Sequence, residues 1–408
     1  MLSAAEAERL IFTLITPLNE IETVDIASDI RSCLGRVLAV SPHSQLDFPH
    51  WDNSAMDGYA LRAADVQTVP VTLSVIEEIP AGKAPQMAIG PQQAARILTG
   101  GMMPAGADTV VMQEETQRQG SSVTILQAAQ PQSFVRRQGS FAQVGDELLT
   151  VGQAIAPADI ALLAAAQQRF VQVYRRPRVA ILSTGSELAQ IDATLQPGQI
   201  VDSNQYALTA LVAQTGAVPL PLEIVRDERE QVKAAIASAL AQADMVISSG
   251  GVSVGDYDYV DKVLADLGAT LHIRAVAVKP GKPLTVATVE DDGAQLYFGL
   301  PGNPASAMVG FWRFVAPAID KLSGRSGACS PEFVWAIAAT DLSAGGGRET
   351  YLWGQLVAGE SGYTFERATG NHSSGNLVNL ANTSGLGVVP QGETQIAAGQ
   401  PVRVLKIR

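Results

Sequence analysis

The sequence predicts a multidomain protein that combines a doubly wound α/β domain with β-rich segments. Its 408 residues exceed what a single hydrophobic core usually organises, so several domains are expected. Strand-like and helix-like patterns alternate over about residues 177–325, which is typical of a mostly parallel sheet covered by helices on both faces. Residues 49–140 and 331–408 contain short apolar runs divided by Gly and Pro, which indicates strands that form a small barrel or sandwich in the tail.

The N-terminal segment predicts a helix rather than a targeting signal. Ser3 and Glu6 have the spacing of a capping box, and no basic stretch precedes an apolar run. A second helix is predicted at "APADIALLAAAQQ", where Pro157 suits a first helical position. Cys33 and Cys329 are too few for a disulfide framework or a metal cluster, so a reducing cytoplasm is expected.

Composition excludes two classes of partner. The net charge is −12 without an extended basic block, whereas nucleic-acid binding requires clustered Lys and Arg. The sequence contains no run of 18 apolar residues, so no membrane span is expected. Small anionic ligands stay compatible with this charge, because a few local cations and backbone N–H groups can hold them.

Each predicted strand of the α/β domain ends in a polar or glycine-rich turn. The predicted strands lead in chain order into "STGSEL", "RDE", "SSGGVSVGDYDYV", "KPGKP" and "LPGNPAS". The intervening helices are predicted at "SNQYALTALVAQTG", "EREQVKAAIASALAQA", "DYVDKVLADLG" and "PASAMVGFWRFVAPAIDKL". Ligands of open α/β sheets bind at the carboxyl ends of the strands, so these turns predict a binding site.

The residue types in these turns suit a phosphorylated ligand and a divalent cation. Small residues leave N–H groups free for an anion, and the candidates are Thr184, Gly185, Ser186, Ser249, Gly250, Gly251, Ser253, Pro301, Gly302, Asn303 and Pro304. Lys279 and Lys282 add positive charge at the same edge. The carboxylates of Glu187, Asp227, Asp256 and Asp258 would repel a phosphate unless Mg²⁺ lay between them. Each turn alone could equally be structural, with Asp227 or Asp256 as a helix cap.

Two segments outside the α/β domain also contain candidate site residues. "DNSAMDGYALR" includes Asp57, and "ILTGGMMPAGADTVVMQEE" includes Thr99. Both segments could equally be loops of the β-rich domain.

Taken together, six segments resemble the molybdopterin molybdenumtransferase (MoeA) family, which includes the matching part of gephyrin. They are, in order, "DNSAMDGYA", "ILTGGMMPAGADTVVMQE", "STGSEL", "SSGGVSVGDYDY", "KPGKP" and "GLPGNPASA". The resemblance implies a split helical and β domain over 1–48 and 141–176, and an inserted β-rich domain over 49–140. It further implies a molybdopterin-binding α/β domain over 177–325, a C-terminal β domain over 331–408, and a homodimer.

The family resemblance also implies a reaction. Molybdate and adenylylated molybdopterin would give molybdenum cofactor and AMP, with Mg²⁺ as the metal. Carried over residue by residue, Asp57, Thr99, Asp227, Asp258 and Lys279 would be catalytic. Glu187, Asp227 and Asp258 would hold the metal, while Lys282 and the "PGNP" loop would contact the ligand. Molybdopterin adenylyltransferase and molybdoenzyme maturation proteins are the expected protein contacts.

The sequence departs from the family pattern at several positions. Ser140 and Phe141 stand where an acidic pair is usual, leaving Asp146 as a substitute from a shifted loop. Ala275 and Trp353 replace basic residues, and the loop "NHSSGNLVN" keeps only Ser373 and Ser374. An alternative is therefore a divergent, non-catalytic molybdopterin-binding paralogue that carries the cofactor. A third reading, molybdopterin adenylyltransferase, is disfavoured by the extra domains.

Overall fold

The structure, a computed structural model, describes residues 1–251, 259–290, 294–370 and 372–407. It separates into two compact units. The large unit comprises Met1–Val40, Val151–Ala156 and Gln172–Arg408, and the small unit comprises Ser41–Thr150 and Pro157–Val171. The division of the sequence into four domains stays a prediction. Within the described ranges, no helix has both the length and the apolar composition that crossing a membrane requires.

The large unit begins with a capped amphipathic helix. Its first elements are α1 (Ala4–Thr13), β1 (Ile21–Asp25) and α2 (Ile30–Cys33). The predicted capping box is confirmed, because Ser3 Oγ accepts from Glu6 N at 3.3 Å and Glu6 Oε2 accepts from Ser3 N at 2.8 Å. Ala4, Ala7 and Ile11, at helical spacing, are buried in the main core of the unit.

The small unit is built on a six-stranded sheet. Its elements are β2 (Asn53–Ser54), β3 (Gly58–Leu61), β4 (Val71–Ile79), β5 (Gln93–Ile97), β6 (Thr109–Met112), β7 (Thr116–Gln119), β8 (Ser122–Ile125), β9 (Val135–Arg136) and α3 (Pro157–Ala165). The sheet order is β6-β3-β5-β4-β8-β7, with β4 and β5 parallel and the other neighbours antiparallel. Both faces are covered by apolar clusters, one around Tyr59 and Leu61 and the other around Ala60 and Ile97. The predicted β-rich character of this segment is confirmed.

The α/β part of the large unit contains a second six-stranded sheet. The helices and strands of this stretch of the chain, not all of which belong to the sheet, are β10 (Phe170–Tyr174), β11 (Arg178–Ser183), β12 (Leu188–Ala189), β13 (Ile200–Val201), α4 (Ser203–Gln214), β14 (Val218–Pro221), α5 (Arg229–Leu240), β15 (Met245–Ser249), α6 (Tyr259–Asp266), β16 (Thr270–Ala275), β17 (Val278–Lys279), β18 (Pro283–Glu290), β19 (Ala294–Leu300), α7 (Pro304–Gly310) and α8 (Ala316–Leu322). The six strands of the sheet lie in the order β14-β11-β15-β19-β18-β16. Val179, Ile181 and Leu182 of β11 are fully buried, and each of these side chains contributes roughly 1.5–3 kcal/mol of transfer free energy.

Two features of this sheet differ from the sequence prediction. Strand β18 was not predicted, and it pairs antiparallel with both β19 and β16, so only the β14-β11-β15-β19 portion is parallel. The second predicted strand, expected to reach "RDE", ends at Pro221, and only Val225 returns to the sheet through a bridge to Thr184. Pro219 and Pro221 have no N–H for the ladder, which limits β14 to the sheet edge.

The C-terminal part of the large unit is a closed β-barrel-like sheet. Its elements are β20 (Phe333–Ala338), β21 (Leu342–Ser343), β22 (Glu349–Gly359), β23 (Gly362–Arg367), α9 (Leu377–Leu380), β24 (Gly385–Val389), β25 (Gln395–Ile396) and β26 (Pro401–Lys406). The order β22-β23-β20-β26-β24 is closed by pairing of β24 with β22. Leu352 faces the barrel interior, while Tyr351 and Trp353 pack with the helices of the α/β part. The predicted fold class is therefore confirmed.

The partly buried carboxylate of Asp320 gives a prediction on stability. Burial raises the pKa of Asp320 on α8, and the nearby Arg325 guanidinium, 3.3 Å away, lowers it only in part. A carboxyl whose pKa is higher in the folded state stabilises the fold below its unfolded pKa, and this contribution is lost as the pH rises through the folded pKa. Asp320→Asn should therefore raise the melting temperature at pH 7, and the gain should shrink as the pH falls.

A matched control substitution, Asp266→Asn, is expected to change the melting temperature in the opposite direction. The Arg229 guanidinium lowers the pKa of Asp266, so Asp266→Asn should slightly reduce the melting temperature at pH 7, and this loss should fade at acid pH. Melting curves of both variants between pH 3 and 8 test the pair. An Asp320→Asn protein that melts below the wild type at pH 7 would contradict the expectation.

Candidate functional site

A cleft of about 900 Å³ opens at the carboxyl ends of β11, β15 and β19. The three strands are neighbours in the parallel part of the sheet, so the turns that follow them meet at one edge. Most predicted binding residues line this cleft, namely Thr184, Glu187, Asp227, Ser249, Gly250, Gly251, Pro301, Gly302, Asn303 and Pro304. The structure therefore brings the strand-end turns together as the sequence pattern predicts.

Two glycines allow the strand ends to approach closely. Gly250 has φ of +93°, and a Cβ atom at this position would lie 2.2 Å from the carbonyl oxygen of Thr184. Gly251, with φ of +67°, would place a Cβ 3.0 Å from Thr184 Oγ1. The N–H of Gly250 donates to Leu300 O at 3.2 Å, which ties β15 to the end of β19. Glycine is required here because no other residue combines this backbone conformation with this contact.

Two exposed carboxylates line the cleft. Glu187 follows the β11 turn and Asp227 follows the bridge at Val225. Asp227 Oδ2 accepts from Ser186 N at 3.3 Å, and Gly185 N donates to Val225 O at 3.1 Å, so the two loops are held together. The predicted Asp258, Asp256 and Ser253 lie outside the described residues.

The donor set can be compared with the needs of Mg²⁺. Among the residues that the structure places, no group of three His, Cys, Asp or Glu side chains could by itself hold a metal ion. Magnesium, however, is commonly bound by one or two carboxylates together with phosphate oxygens of the ligand. The Glu187 and Asp227 pair fits that mode, in which the ligand supplies the other oxygens.

The predicted cationic residues occupy a different position. Lys279 and Lys282 are both exposed, and neither is among the residues found to line the cleft in the described ranges. Lys279 lies on β17, opposite Thr350 of β22, whereas Pro283, at the start of β18, does reach the cleft. The roles assigned to both lysines stay predictions.

Several residues line the cleft that the strand-end pattern does not predict. Asp202 and Asn204, at the start of α4, line the cleft, and so do Gly375 and Leu377 of the C-terminal part. The signal for the first two was present, since "DSNQ" directly before an apolar helix is an N-cap pattern next to the binding edge. Gly375 and Leu377 could not be found this way, because their contact depends on tertiary packing. Ser374 O accepts from Ala305 N at 2.9 Å and fixes this loop against α7.

In the C-terminal part, Trp353 stands where the family pattern has a basic residue, and it pairs with an aromatic neighbour. Trp353 is 1% exposed and stacks on His372 with ring centroids 4.5 Å apart. Burial lowers the pKa of His372, so the imidazole is neutral at physiological pH. The position that is basic in the family pattern therefore provides no cation here.

In the small unit, the structure places Asp57 and Thr99 in direct contact. Asp57 Oδ1 accepts from both the N–H and the hydroxyl of Thr99, each at 2.7 Å. These two hydrogen bonds, together with the charge of Arg96, lower the pKa of Asp57 below its usual value. Asp57 is thus a fixed, ionised carboxylate on the surface of this unit.

The loop that contains Ser140 and Phe141 lies in the same unit. Phe141 is 72% exposed, and the nearby Asp146 accepts through Oδ2 from Gln143 N at 2.8 Å. The Asp146 carboxylate is therefore engaged in its own turn.

Comparisons with known proteins agree with this architecture. Residues 2–166 match the family model described as MoeA N-terminal region (domain I and II), residues 180–321 match the probable molybdopterin binding domain, and residues 336–407 match the MoeA C-terminal region (domain IV). A curated molybdopterin molybdenumtransferase of Nostoc sp. is 52% identical over 100% of this chain and 94% of its own length. The Haemophilus influenzae protein of the same name is 34% identical over 92% of both chains.

A solved structure is similar over the full length. The crystal structure of a molybdopterin biosynthesis moeA protein from Pyrococcus horikoshii OT3 superimposes with a TM-score of 0.84 at 27% identity, covering 100% of both chains. All three family regions match, and one full-length relative has more than half of its aligned residues identical to this chain. The chain therefore belongs to the molybdopterin molybdenumtransferase family.

Proposed function

We propose that this protein inserts molybdate into adenylylated molybdopterin and releases AMP. The observation that supports this most is the cleft at the strand ends, where glycine-rich turns and two carboxylates line one cavity of about 900 Å³. A cavity of this size lies within the range of small-molecule sites. The N–H groups of the turns suit the phosphates of the ligand, and the relatives of this chain carry the corresponding name.

We propose that Glu187 and Asp227 hold Mg²⁺ against the phosphates, with Asp258 as a further ligand. When bound, Mg²⁺ supplies positive charge where negative charge develops on the departing phosphate. The chain itself contributes orientation, because Ser186 N positions the Asp227 carboxylate and the Gly250 turn fixes the strand ends. Lys279 and Lys282 are proposed to attract the phosphate or molybdate anion.

The remaining assignments are proposals that rest on family membership. They are a cytoplasmic location, a homodimer, contacts with adenylyltransferase and maturation proteins, and the division into 1–48 with 141–176, 49–140, 177–325 and 331–408. Asp57 and Thr99 are proposed as catalytic residues.

Release of AMP from purified protein tests the function. The protein is incubated with adenylylated molybdopterin and Mg²⁺, with and without molybdate, and AMP is quantified. Molybdate-dependent AMP release is expected. Tight ligand binding with no AMP release would contradict the proposal and identify a cofactor-binding protein instead.

The Asp57–Thr99 contact gives a prediction about this activity. Thr99→Val removes the hydroxyl donor but keeps the backbone N–H, so the pKa of Asp57 should rise toward its usual value. Loss of one hydrogen bond to a charged partner should lower turnover about 10- to 100-fold. NMR titration of the Asp57 carboxyl carbon and AMP release measure the two effects. Thr116→Val, which removes a hydroxyl that donates to Gln113 O in the same unit, is the control and should change neither.

A further inference from the structure

Three buried oxygen atoms on the wall of the cleft have no hydrogen-bond partner within the described part of the chain. They are Asp202 Oδ2, Asn204 Oδ1 and Thr184 Oγ1. Their residues are only 3%, 8% and 4% exposed, respectively. Buried acceptors without a partner are rare because they are costly, so a group of them in a cleft indicates a place where a ligand supplies the donors.

Asp202 is the N-cap residue of α4. Its Oδ1 accepts from Gln205 N at 3.1 Å, so the cap requirement of the helix is met by one carboxylate oxygen. The other oxygen, Oδ2, remains available to a ligand. A carboxylate at this point repels phosphate and favours a group that donates hydrogen bonds.

Asn204 presents a second acceptor because its amide orientation is fixed. Its Nδ2 donates to Ser249 Oγ at 2.7 Å and to the carbonyl oxygen of Gly302 at 2.8 Å. Gly302 O can only accept, so the nitrogen must point toward it and Oδ1 must point elsewhere. The same residue therefore joins α4 to the ends of β15 and β19 and offers one free lone-pair acceptor.

We propose that Asp202 Oδ2 and Asn204 Oδ1 bind the 2-amino-4-oxopyrimidine edge of the pterin. This edge carries two adjacent donors, the 2-amino group and the ring N–H, which match two acceptors. The adenine edge has one donor next to an acceptor, so its ring nitrogen would face an oxygen lone pair. The inference rests on the proposed function, and it places the pterin end of the substrate, rather than the adenylyl end, at the start of α4.

Asp202→Asn tests this assignment with little risk to the fold. Asn is as good an N-cap as Asp, and the cap bond holds the amide oxygen toward Gln205 N. The amide NH₂ then occupies the place of Oδ2 and opposes the donors of the ligand. Equilibrium binding is measured with 6-hydroxymethylpterin, GMP and AMP as separate probes. We expect affinity for 6-hydroxymethylpterin to fall about 10-fold or more while affinity for AMP stays within about 2-fold.

The control is Asp29→Asn, the same substitution at another N-cap, where Asp29 Oδ1 accepts from Arg31 N away from the cleft. It should leave all three affinities unchanged. GMP has the same pyrimidine edge, so a parallel loss of GMP affinity in Asp202→Asn supports recognition of that edge. Unchanged pterin affinity in Asp202→Asn, no pterin binding by the wild type, or loss of AMP affinity alone overturns the pterin assignment.

These binding measurements need neither molybdate nor turnover. A protein that fails to release AMP but shows the expected loss in Asp202→Asn would refute the proposed reaction and retain the pterin site. A protein that releases AMP equally well in both forms, with equal pterin affinity, would retain the reaction and refute this site.

Discussion

Replacing Asp227 by alanine is expected to lower molybdate-dependent AMP release at least about 100-fold. Replacing a residue that only supports a metal ligand lowers metal affinity or activity by about 10- to 100-fold. Replacing a metal ligand itself should therefore lower activity by at least as much. Asp227 is exposed at the cleft and makes one long hydrogen bond, at 3.3 Å, through its carboxylate oxygen. Its removal should therefore leave the melting temperature nearly unchanged. Loss of activity with intact stability identifies a functional carboxylate.

The Mg²⁺ dependence separates a metal ligand from an orienting residue. In Asp227→Asn and Glu187→Gln, the Mg²⁺ concentration for half-maximal AMP release should rise, because a neutral amide binds Mg²⁺ more weakly than a carboxylate. Glu228→Gln is the matched control, since Glu228 adjoins Asp227 but accepts from Gln231 Nε2 and is not a cleft residue. Equal Mg²⁺ requirements in Asp227→Asn and wild type would show that Asp227 does not hold the metal.

The sequence predicted the parallel part of the sheet because its strands are buried on both faces. Runs such as "VAIL" in β11 are apolar throughout and are followed by turns rich in Gly, Ser and Thr, which is a strong local signal. Strand β18, "PLTVATVE", is not predicted, because it begins with proline directly after "KPGK", a pattern that indicates a turn. Its pairing with β16 and β19 is set by long-range contacts that local patterns do not contain.

The sequence predicts part of the candidate site, because the ends of the buried parallel strands can be recognised locally. Residues at or just beyond the ends of buried strands, such as Ser249 and Gly302, could be located from the order of elements. Asp202 precedes helix α4 and does not follow a strand of the main sheet, so its place in the cleft does not follow from the order of strands. Gly375 and Leu377 reach the cleft only because the barrel packs on α7. The capping box at Ser3, in contrast, depends on residues three positions apart, which explains why a local pattern sufficed.

Arg313→Met is expected to destabilise the large unit by about 3–5 kcal/mol, the usual cost of removing one partner from a buried ion pair. Arg313 is 3% exposed and lies in the π-helical turn between α7 and α8. It donates to Glu8 of α1 and, at 2.9 Å, to Tyr351 Oη of β22. One side chain thus links the first helix, the α/β part and the C-terminal barrel.

The effect arises from what the substitution leaves behind. Met fills a similar volume, so little packing is lost, but Glu8 keeps its charge without the paired guanidinium. Burial raises the pKa of Tyr351, so its hydroxyl stays protonated and donates to Glu349, and it loses the donor that Arg313 supplies. A partly buried carboxylate and a buried hydroxyl oxygen lose their donor together, which places the change among the more costly single substitutions.

Urea unfolding followed by tryptophan fluorescence measures this cost. Trp312, Trp335 and Trp353 lie in the large unit, so the signal reports mainly on that unit. Arg229→Met is the control, because Arg229 pairs with Asp266 at the surface and its loss should hardly move the midpoint. Adding Glu8→Gln to Arg313→Met removes the stranded charge and should recover part of the stability. An Arg313→Met midpoint equal to that of Arg229→Met would show that the buried pair does not hold the N-terminal helix to the rest of the unit.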